Sequence, residues 1–257
     1  MKLLLKRLQN AFWSRRTGSS PSFESFYKSA EDIDASAYQG DVARIFFANK
    51  GPLVHKWLHY LEIYERTFAR FRGKPFRFLE IGVSKGGSLQ MWRSFFGDQA
   101  TIFGIDINPD CAAINGQHGQ VRIGSQDDPA FLASVIAEMG GVDIILDDGS
   151  HVARHQRVSF DILFPLLSDD GLYVIEDMHT AYWGHFEGGL RRPGTAIEML
   201  KGKVDEMHRQ YFERGRNDFA KMLAIESIQF FDSIAVVHKR AQDERRVVMV
   251  PAPEVHP

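Results

Sequence analysis

The chain has a single cysteine, Cys111, among its 257 residues. One thiol excludes an internal disulfide framework and a zinc site built from several cysteines. No run reaches the ~18–20 consecutive apolar residues that a membrane-spanning helix requires. The formal net charge is −2, so no overall positive field attracts nucleic acid. These absences favour a globular protein of a reducing compartment, and we expect a cytoplasmic location without nucleic-acid partners.

Residues 1–16 form a basic amphipathic stretch. Apolar residues fall near helical spacing, lysines and arginines accompany them, and the first acidic residue is Glu24. A stretch of this kind can lie on an anionic membrane, which would place the protein peripherally at the inner membrane surface. The alternative is a terminal helix that packs on its own protein or on a partner subunit.

Composition and turn-forming residues divide the chain into four parts. Residues 1–22 are the basic tail and a turn-rich linker, and residues 23–72 carry a helical pattern rich in aromatics, which predicts an N-terminal helical cap. Strands and helices alternate over residues 73–241, with a long insertion at 179–217 that we expect on the substrate side. Residues 242–257 are a C-terminal tail.

The alternating region predicts a doubly wound α/β fold. Strands are expected at 76–82, 101–106, 120–124, 142–146 and 171–177, with helices at 88–96, 128–139 and 152–167. Unbroken apolar strands indicate a parallel sheet covered on both faces. Residues 227–239 read as two strands joined at Asp232-Ser233, which must pair antiparallel. A mostly parallel seven-stranded sheet that ends in such a hairpin is the architecture of class I methyltransferases.

A glycine-rich loop follows the first strand, where ligands bind in open α/β sheets. Its glycines are Gly82, Gly86 and Gly87, and Ser84 stands where a dinucleotide fingerprint has its second glycine. This spacing argues against NAD and favours S-adenosylmethionine, which carries no pyrophosphate. The residues of this loop expected at the cofactor are Glu80, Gly82 and Ser88.

Acidic and polar residues after the next strands extend the predicted cofactor site. Asp106 closes the second strand, where a carboxylate can accept hydrogen bonds from both ribose hydroxyls. The alternative is that Asp106 caps the turn into Asn108-Pro109. The residues expected near the adenine or elsewhere on the cofactor are Ser125, Gln126, Asp127 and Asp147. Asp127 or Asp128 has the alternative role of capping the next helix.

Two acidic pairs end the fourth and fifth strands, Asp147-Asp148 and Glu176-Asp177. Neighbouring parallel strands lie about 4.8 Å apart, so four carboxylates are expected to converge at one edge of the sheet. Such crowding calls for a positive charge, and hard oxygen ligands suit Mg²⁺ or Mn²⁺. The alternative is that some of these acids cap helices or pair with Arg154 or Arg157.

His151 lies three residues after Asp148, at the expected start of a helix. A helix N-terminus and a nearby cation both disfavour a protonated imidazole, so His151 is the candidate general base.

Two motifs carry a resemblance to a known family. Residues 145–151, Ile-Leu-Asp-Asp-Gly-Ser-His, and residues 173–183, which begin Tyr-Val-Ile-Glu-Asp-Met-His, resemble the metal-dependent macrolide sugar O-methyltransferases of the mycinamicin and demethylmacrocin type. The resemblance runs from about residue 49 to 239 and includes His59-Tyr60 with Tyr64. The chain departs from the family at Ala48-Asn49-Lys50, where the family has an acidic residue and a lysine.

The resemblance implies a function and a set of roles. It implies that Asp148, Glu176 and Asp177 hold the metal and that His151 takes a proton from a sugar hydroxyl, whose oxygen attacks the sulfonium methyl of S-adenosylmethionine. It also implies a homo-oligomer. Residues just past the second acidic pair are expected to line the acceptor pocket: His179, Tyr182 and Trp183. His179 is a second base candidate, and Trp183 has packing as its alternative role.

Two other functions fit the same sequence. A catechol-type or hydroxylase-associated small-molecule methyltransferase would share the fold, the cofactor and the metal. A non-catalytic member would bind a partner through the amphipathic N-terminus. Neither alternative is separated from the sugar methyltransferase by the motifs alone.

Overall fold

A computed structural model describes residues 26–28, 30–212, 224–241, 243 and 245–250 of the chain. The basic stretch 1–16 and its linker lie outside the described residues, as do residues 213–217 of the predicted insertion and the end of the C-terminal tail. In the described part, no helix combines the length and the apolar character needed to cross a bilayer.

Seven strands form one sheet in the order β3-β2-β1-β4-β5-β7-β6. Their bounds are β1 Phe76–Ile81, β2 Ala100–Asp106, β3 Gln120–Ile123, β4 Val142–Asp147, β5 Leu167–Ile175, β6 Ile225–Phe230 and β7 Ala235–Lys239. The first five strands pair in parallel, whereas β7 is antiparallel to both β5 and β6. The predicted class I methyltransferase fold, including the closing hairpin, is therefore confirmed.

Six α-helices are described: α1 Asp41–Phe47, α2 Tyr60–Phe68, α3 Gly87–Phe96, α4 Pro129–Met139, α5 Ala153–Leu166 and α6 Ala196–Met207. Two of them, α4 and α6, begin or end at a residue that caps the helix. Asp128 accepts hydrogen bonds from the backbone amides of Ala130 and Phe131 and so begins α4. Gly140 ends the same helix in the left-handed conformation, and Thr195 caps the start of α6.

The N-terminal part is less helical than its pattern predicts. Residues 48–59 form turns and extended chain between α1 and α2, and the prediction of helix there is wrong. Asn49 turns the backbone by accepting a hydrogen bond from the Gly51 amide and donating one to the Pro52 carbonyl. Pro52 has no amide hydrogen and disfavours helix in the residue before it, so the helical pattern breaks there.

Two apolar layers cover the sheet. The helices α1, α2 and α3 lie on one face, where Tyr64, Phe68 and Trp92 pack together above Phe78. The helices α4, α5 and α6 lie on the other face with Phe160, Phe164 and Tyr173. Successive side chains of a strand point to opposite faces. In β4, for example, Ile144 and Leu146 belong to the first layer and Ile145 to the second.

The chain between α1 and α2 crosses the carboxyl end of the sheet. We call residues 53–60 the strap. The start of α3 meets the strap so closely that a Cβ atom added at Gly87 would collide with the Leu53 carbonyl. The absence of a side chain at Gly87 thus fixes where the strap passes over the strand ends.

We predict opposite effects of alanine at two helical glycines. Gly87→Ala forces the strap away from α3 and should lower the free energy of unfolding by about 1–3 kcal/mol. Gly202→Ala is the control, because a Cβ atom there meets nothing within 4 Å and should stabilise α6 by up to about 1 kcal/mol. Urea unfolding followed by tryptophan fluorescence measures both. Equal stabilities of the two variants would contradict this account of the strap.

Candidate active site

A cavity of about 320 Å³ opens at the carboxyl ends of the strands. The strap forms one wall of it, and the loops after β1, β2, β4 and β5 form the other. The predicted site residues that line it are Gly82, Ser88, Asp106, Asp148, His151, Glu176 and Asp177. The fold thus brings seven of the fifteen predicted site residues to one cavity.

A second cavity of about 180 Å³ adjoins the first and shares Gly82, Asp106 and Gly149 with it. Its walls are mainly apolar, with Ile81, Ile105 and Ile107 on one side. Ser125, Gln126, Ser150 and His155 supply polar groups at its edge. A flat ring with polar substituents fits a narrow space of this kind.

Asp106 stands between the two cavities and organises the glycine loop. One carboxylate oxygen accepts hydrogen bonds from the amides of Val83 (3.1 Å) and Ser84 (2.9 Å), and the other accepts from the amide of Asn108 (2.9 Å). The turn-capping alternative for Asp106 is thus realised in the structure. Since its side chain is only partly buried and lines both cavities, the predicted ribose contact stays compatible with this role.

The polar residues after β3 are mostly engaged by the protein. Gln126 is buried, donates to Asp147 (3.2 Å) and accepts from the Ser150 amide (2.7 Å), so it joins two loops. Ser125 donates to Asp127, whose other oxygen lies 3.3 Å from the imidazole of His155. Of these residues, Ser125 and Gln126 border the smaller cavity and Asp127 does not.

The expected convergence of four carboxylates is wrong for Asp147. This side chain follows Leu146 in β4 and therefore points to the opposite face of the sheet, and it lines neither cavity. It is fully buried, and its carboxylate accepts from Ser159 (2.9 Å), Tyr173 (3.1 Å) and Gln126. These donors occupy the Asp147 carboxylate, so the geometry does not support a direct contact between this carboxylate and the cofactor.

The acids that face the cavity are Asp148, Glu176 and Asp177, and they meet a lysine that the sequence patterns did not reveal. The Lys56 ammonium on the strap lies 2.5 Å from Asp148 Oδ2 and 3.0 and 2.8 Å from the two oxygens of Glu176. Its side chain is 2% exposed. Burial alone would lower the pKa of Lys56, but the charges of Asp148, Glu176 and Glu80 outweigh burial and hold that pKa above its ordinary value.

Two further strap residues hold Asp177. The indole nitrogen of Trp57 donates to Asp177 Oδ1 (3.1 Å), and the Tyr60 hydroxyl donates to the same oxygen (2.8 Å). In the sequence, Tyr60 is part of the resemblance, and Trp57 is one of many aromatic residues between residues 23 and 72. The three donors could not be recognised from sequence, because their meeting with the acids depends on the path of an irregular segment.

His151 faces the acidic cluster as predicted. Its Nε2 lies 3.5 Å from Asp177 Oδ2 and 3.9 Å from Asp148 Oδ1, and its side chain is 16% exposed. It precedes α5 by two residues. His151, Asp177 and Ser84 all have positive φ angles, of 56°, 52° and 47°. Non-glycine residues in this left-handed region concentrate where function fixes a side chain in place.

One ligand atom from each of Asp148, His151 and Asp177 lies within 4.8 Å of the others. Two carboxylate oxygens and an imidazole nitrogen at this spacing form a donor set that suits a divalent cation. Glu176 lies beside this set, and both of its oxygens accept from Lys56. Two of the three predicted metal residues, Asp148 and Asp177, therefore meet at one place beside the imidazole of His151.

The predicted acceptor residues lie beside the cavity, and none of them is in its lining. His179 shares a hydrogen bond between Nδ1 and the Ser233 hydroxyl and packs edge-on against Trp57. Burial lowers the pKa of His179. Trp183 is buried against His179, which favours its packing role, and Tyr182 is 41% exposed. The outer cavity wall comes from the strap and from Tyr27.

Glu80 lies next to the acidic cluster on the α3 side of the sheet. It is fully buried and accepts hydrogen bonds from Ser88 (2.8 Å) and from the indole nitrogen of Trp92 (3.2 Å). Burial raises the pKa of Glu80 to about 7, although the Lys56 charge opposes the shift. Glu80 therefore positions Ser88 at the cavity, which Ser88 lines and Glu80 does not.

Comparison with known proteins finds similarity to methyltransferases. Residues 79–178 match the model of a methyltransferase domain. The chain is 40% identical over 204 residues to a tetracenomycin-C rhamnosyl 3'-O-methyltransferase of Streptomyces olivaceus, covering 72% of the chain and 50% of that protein. It is 36% identical to demethylmacrocin O-methyltransferase of Streptomyces fradiae (75% and 52%) and 38% identical to mycinamicin VI 2''-O-methyltransferase of Micromonospora griseorubida (70% and 48%).

Solved structures agree with these relatives. The MycE methyltransferase of the mycinamycin pathway, in complex with Mg and SAH, superposes with a TM-score of 0.69 at 33% identity, covering 85% of this chain and 58% of MycE. A MycE complex that also contains mycinamycin VI gives a TM-score of 0.68 at 33% identity (83% and 56%). The chain spans about half the length of the curated relatives it matches. The resemblance stated from the two acidic motifs is confirmed.

We predict that Glu80 makes stability depend on pH. Its pKa in the folded protein is raised above the ordinary value of 4.5 to about 7, so folding disfavours the ionised form. As pH rises from about 4.5 to about 7, the wild type should lose up to about 3 kcal/mol of stability relative to Glu80→Gln. Urea unfolding in EDTA at several pH values measures this difference, with the exposed Glu62→Gln as control. A constant difference across this range would contradict the assignment.

Proposed function

Since the chain carries a class I methyltransferase domain related to the macrolide sugar O-methyltransferases, we propose that it transfers the methyl group of S-adenosylmethionine to a sugar hydroxyl beside a bound Mg²⁺. The observation that carries the proposal is the meeting of two carboxylates that would hold the cation, Asp148 and Asp177, with the imidazole of the base His151 in a cavity that the glycine loop and Asp106 also line. A base, a cation site and a cofactor loop thus share one cavity.

The two adjoining cavities suit the two ends of S-adenosylmethionine. The smaller one, with its isoleucine walls and polar edge, would take the adenine, and Ser125 and Gln126 are its candidate polar contacts. Asp106, at the junction of the cavities, would accept from the ribose hydroxyls. Gly82 lines both cavities and lies so close to the Asp148 carbonyl that a Cβ atom at this position would collide with it.

Asp148 and Asp177 are the residues that would hold Mg²⁺, with Glu176 beside them as the third carboxylate that the resemblance implies. A bound divalent cation would lower the pKa of a sugar hydroxyl that reaches it. Mn²⁺ has similar oxygen preferences and is an alternative ion. The hydrogen bonds from Trp57 and Tyr60 to Asp177 Oδ1 leave Oδ2 directed towards His151.

His151 would accept the proton of the acceptor hydroxyl at Nε2. The carboxylates of Asp148 and Asp177 flank this atom at 3.9 and 3.5 Å and would stabilise the imidazolium formed by the transfer. The positive φ of His151 fixes the direction of its side chain. Methyl transfer needs little covalent help, so the contribution of the protein is mainly alignment of the hydroxyl and proton removal.

A deoxysugar of a glycosylated polyketide is the acceptor class we propose. The relatives are named for methylation of rhamnosyl tetracenomycin, demethylmacrocin and mycinamicin VI. The outer wall of the cavity carries Tyr27 and Leu53, which are 55% and 72% exposed. Aromatic and aliphatic side chains at a cavity mouth suit the apolar faces of a deoxysugar and its aglycone.

The proposal predicts turnover on glycosides and its loss in two variants. With S-adenosylmethionine and Mg²⁺, the protein should methylate a rhamnosyl tetracenomycin, demethylmacrocin or mycinamicin VI, detected as a mass increase of one CH₂ unit (a methyl group that replaces a hydrogen) and release of S-adenosylhomocysteine. His151→Ala should lower kcat by about 10²–10⁴-fold, because the general base is removed. Asp148→Asn should abolish the Mg²⁺ dependence together with the activity.

Matched controls and competing substrates make this test decisive. His118→Ala alters a histidine outside both cavities and should leave kcat unchanged. Turnover on free catechols and none on glycosides would replace the sugar function by the catechol-type alternative. Full binding of S-adenosylhomocysteine without turnover on any glycoside or catechol would favour a non-catalytic member.

A peripheral membrane location and homo-oligomerisation also belong to the proposal, and they are supported by the basic sequence of residues 1–16 and by the resemblance alone. The full chain should sediment with vesicles that contain anionic phospholipid, and a chain without residues 1–22 should stay in solution. Light scattering of both forms gives the oligomeric state. Equal sedimentation of the two forms would remove the membrane contact.

A further inference from the structure

A lysine ammonium inside a cluster of carboxylates that is proposed to bind a metal needs an explanation. Lys56 Nζ contacts Asp148 and both oxygens of Glu176, and it is almost completely shielded from solvent. A buried lysine costs several kcal/mol to desolvate, so such a residue is retained only where strong partners surround it. Here the partners are two of the acids that the resemblance assigns to the metal.

Without a metal, the negative charges around Lys56 outnumber its single positive charge. Asp148, Glu176 and Asp177 bring three negative charges to the cavity edge, and Lys56 brings one positive charge. The formal charge of these four groups is therefore −2, equal and opposite to that of one divalent cation, and burial opposes a further negative charge on the neighbouring Glu80 by raising its pKa to about 7. Without Lys56, Asp148 and Glu176 would have to share a poorly solvated space with no positive charge between them, and neutral N–H or O–H donors would compensate their charges only weakly.

The strap delivers this charge in a fixed position. The backbone of the strap lies against the start of α3 at Gly87. Trp57, the residue after Lys56, donates a hydrogen bond to Asp177. Lys56 therefore does not reach the site from a freely moving surface loop. The same short segment supplies one positive charge and two neutral donors to the three acids.

We propose that Lys56 is a resident counter-cation of the metal site, which keeps Asp148 and Glu176 together before a divalent cation binds and which weakens the affinity for that cation. This role rests on the proposed metal-dependent function. Lys56 is a positioning residue, because it acts on the carboxylates and not on the acceptor. Its positive charge repels the metal, and its hydrogen bonds hold the ligands in place for it.

The test compares Lys56→Met, Lys56→Arg and the control Lys50→Met, which replaces an exposed lysine close to the strap. Each protein is stripped with EDTA at one fixed pH, and its thermal unfolding midpoint is measured. Mn²⁺ binding is then titrated by electron paramagnetic resonance of the free ion, and Mg²⁺ is measured by competition. Neither readout depends on turnover.

We expect Lys56→Met to lower the metal-free midpoint by about 10 °C or more, because two buried carboxylates lose their partner. Its Kd for Mn²⁺ should fall about tenfold or more, because the repelling charge is gone. Lys56→Arg keeps the charge and should retain the wild-type Kd, and Lys50→Met should match the wild type in both measurements. Should Lys56→Met not fold, Lys56→Gln gives the same comparison with a neutral polar side chain.

A Kd in Lys56→Met that is equal to or higher than that of the wild type would overturn the counter-cation role. A metal-free midpoint equal to that of Lys50→Met would overturn it as well. The wild-type titration separates this inference from the proposed function. If the wild type binds neither Mn²⁺ nor Mg²⁺, the metal-dependent function and the inference both fail, whereas normal wild-type binding with an unchanged Kd in Lys56→Met removes only the inference.

Discussion

The site depends on one electrostatic constraint, the concentration of negative charge at the carboxyl ends of β1, β4 and β5. Parallel strands deliver Glu80, Asp148, Glu176 and Asp177 to one edge of the sheet, where little water reaches them. Carboxylates this close need partners or they lose their charge. Their partners are Ser88 and Trp92 for Glu80, Lys56 for both Asp148 and Glu176, and Trp57 and Tyr60 for Asp177. The position of the strap follows from these contacts.

The strand pattern was enough to predict the fold. Apolar runs that end in glycine or acid mark β1, β2 and β4, and the closing hairpin at Asp232-Ser233 distinguishes the sheet from a dinucleotide-binding one. These features depend on local periodicity and on pairing between strands that are close in sequence. Residues 48–59 escaped the same reasoning, because their aromatic residues mimic helical spacing while Pro52 and the turn at Asn49 prevent a helix.

The position of a candidate site residue could be predicted only where it depends on the end of a nearby strand. His151 and Asp148 follow a strand end directly, so their place in the cavity could be foreseen. Asp147 shows the limit, because the acid next to Asp148 alternates to the other face and binds Ser159 and Tyr173 instead. Lys56 shows the complementary limit. It is 92 residues from Asp148 in sequence, and no periodic pattern joins an irregular segment to a distant strand end.

The strap also determines how much of the chain would have to be transferred to move the candidate site to another protein. The matched methyltransferase region, residues 79–178, contains the glycine loop, both acidic pairs and His151. The groups that neutralise or hydrogen-bond those acids come from residues 56–60, outside that region. A graft of the matched region alone would carry the acidic residues without Lys56, Trp57 and Tyr60. The residues that form the candidate site thus begin before β1 in the sequence. A transfer of this site to another protein would have to include the strap together with the matched region.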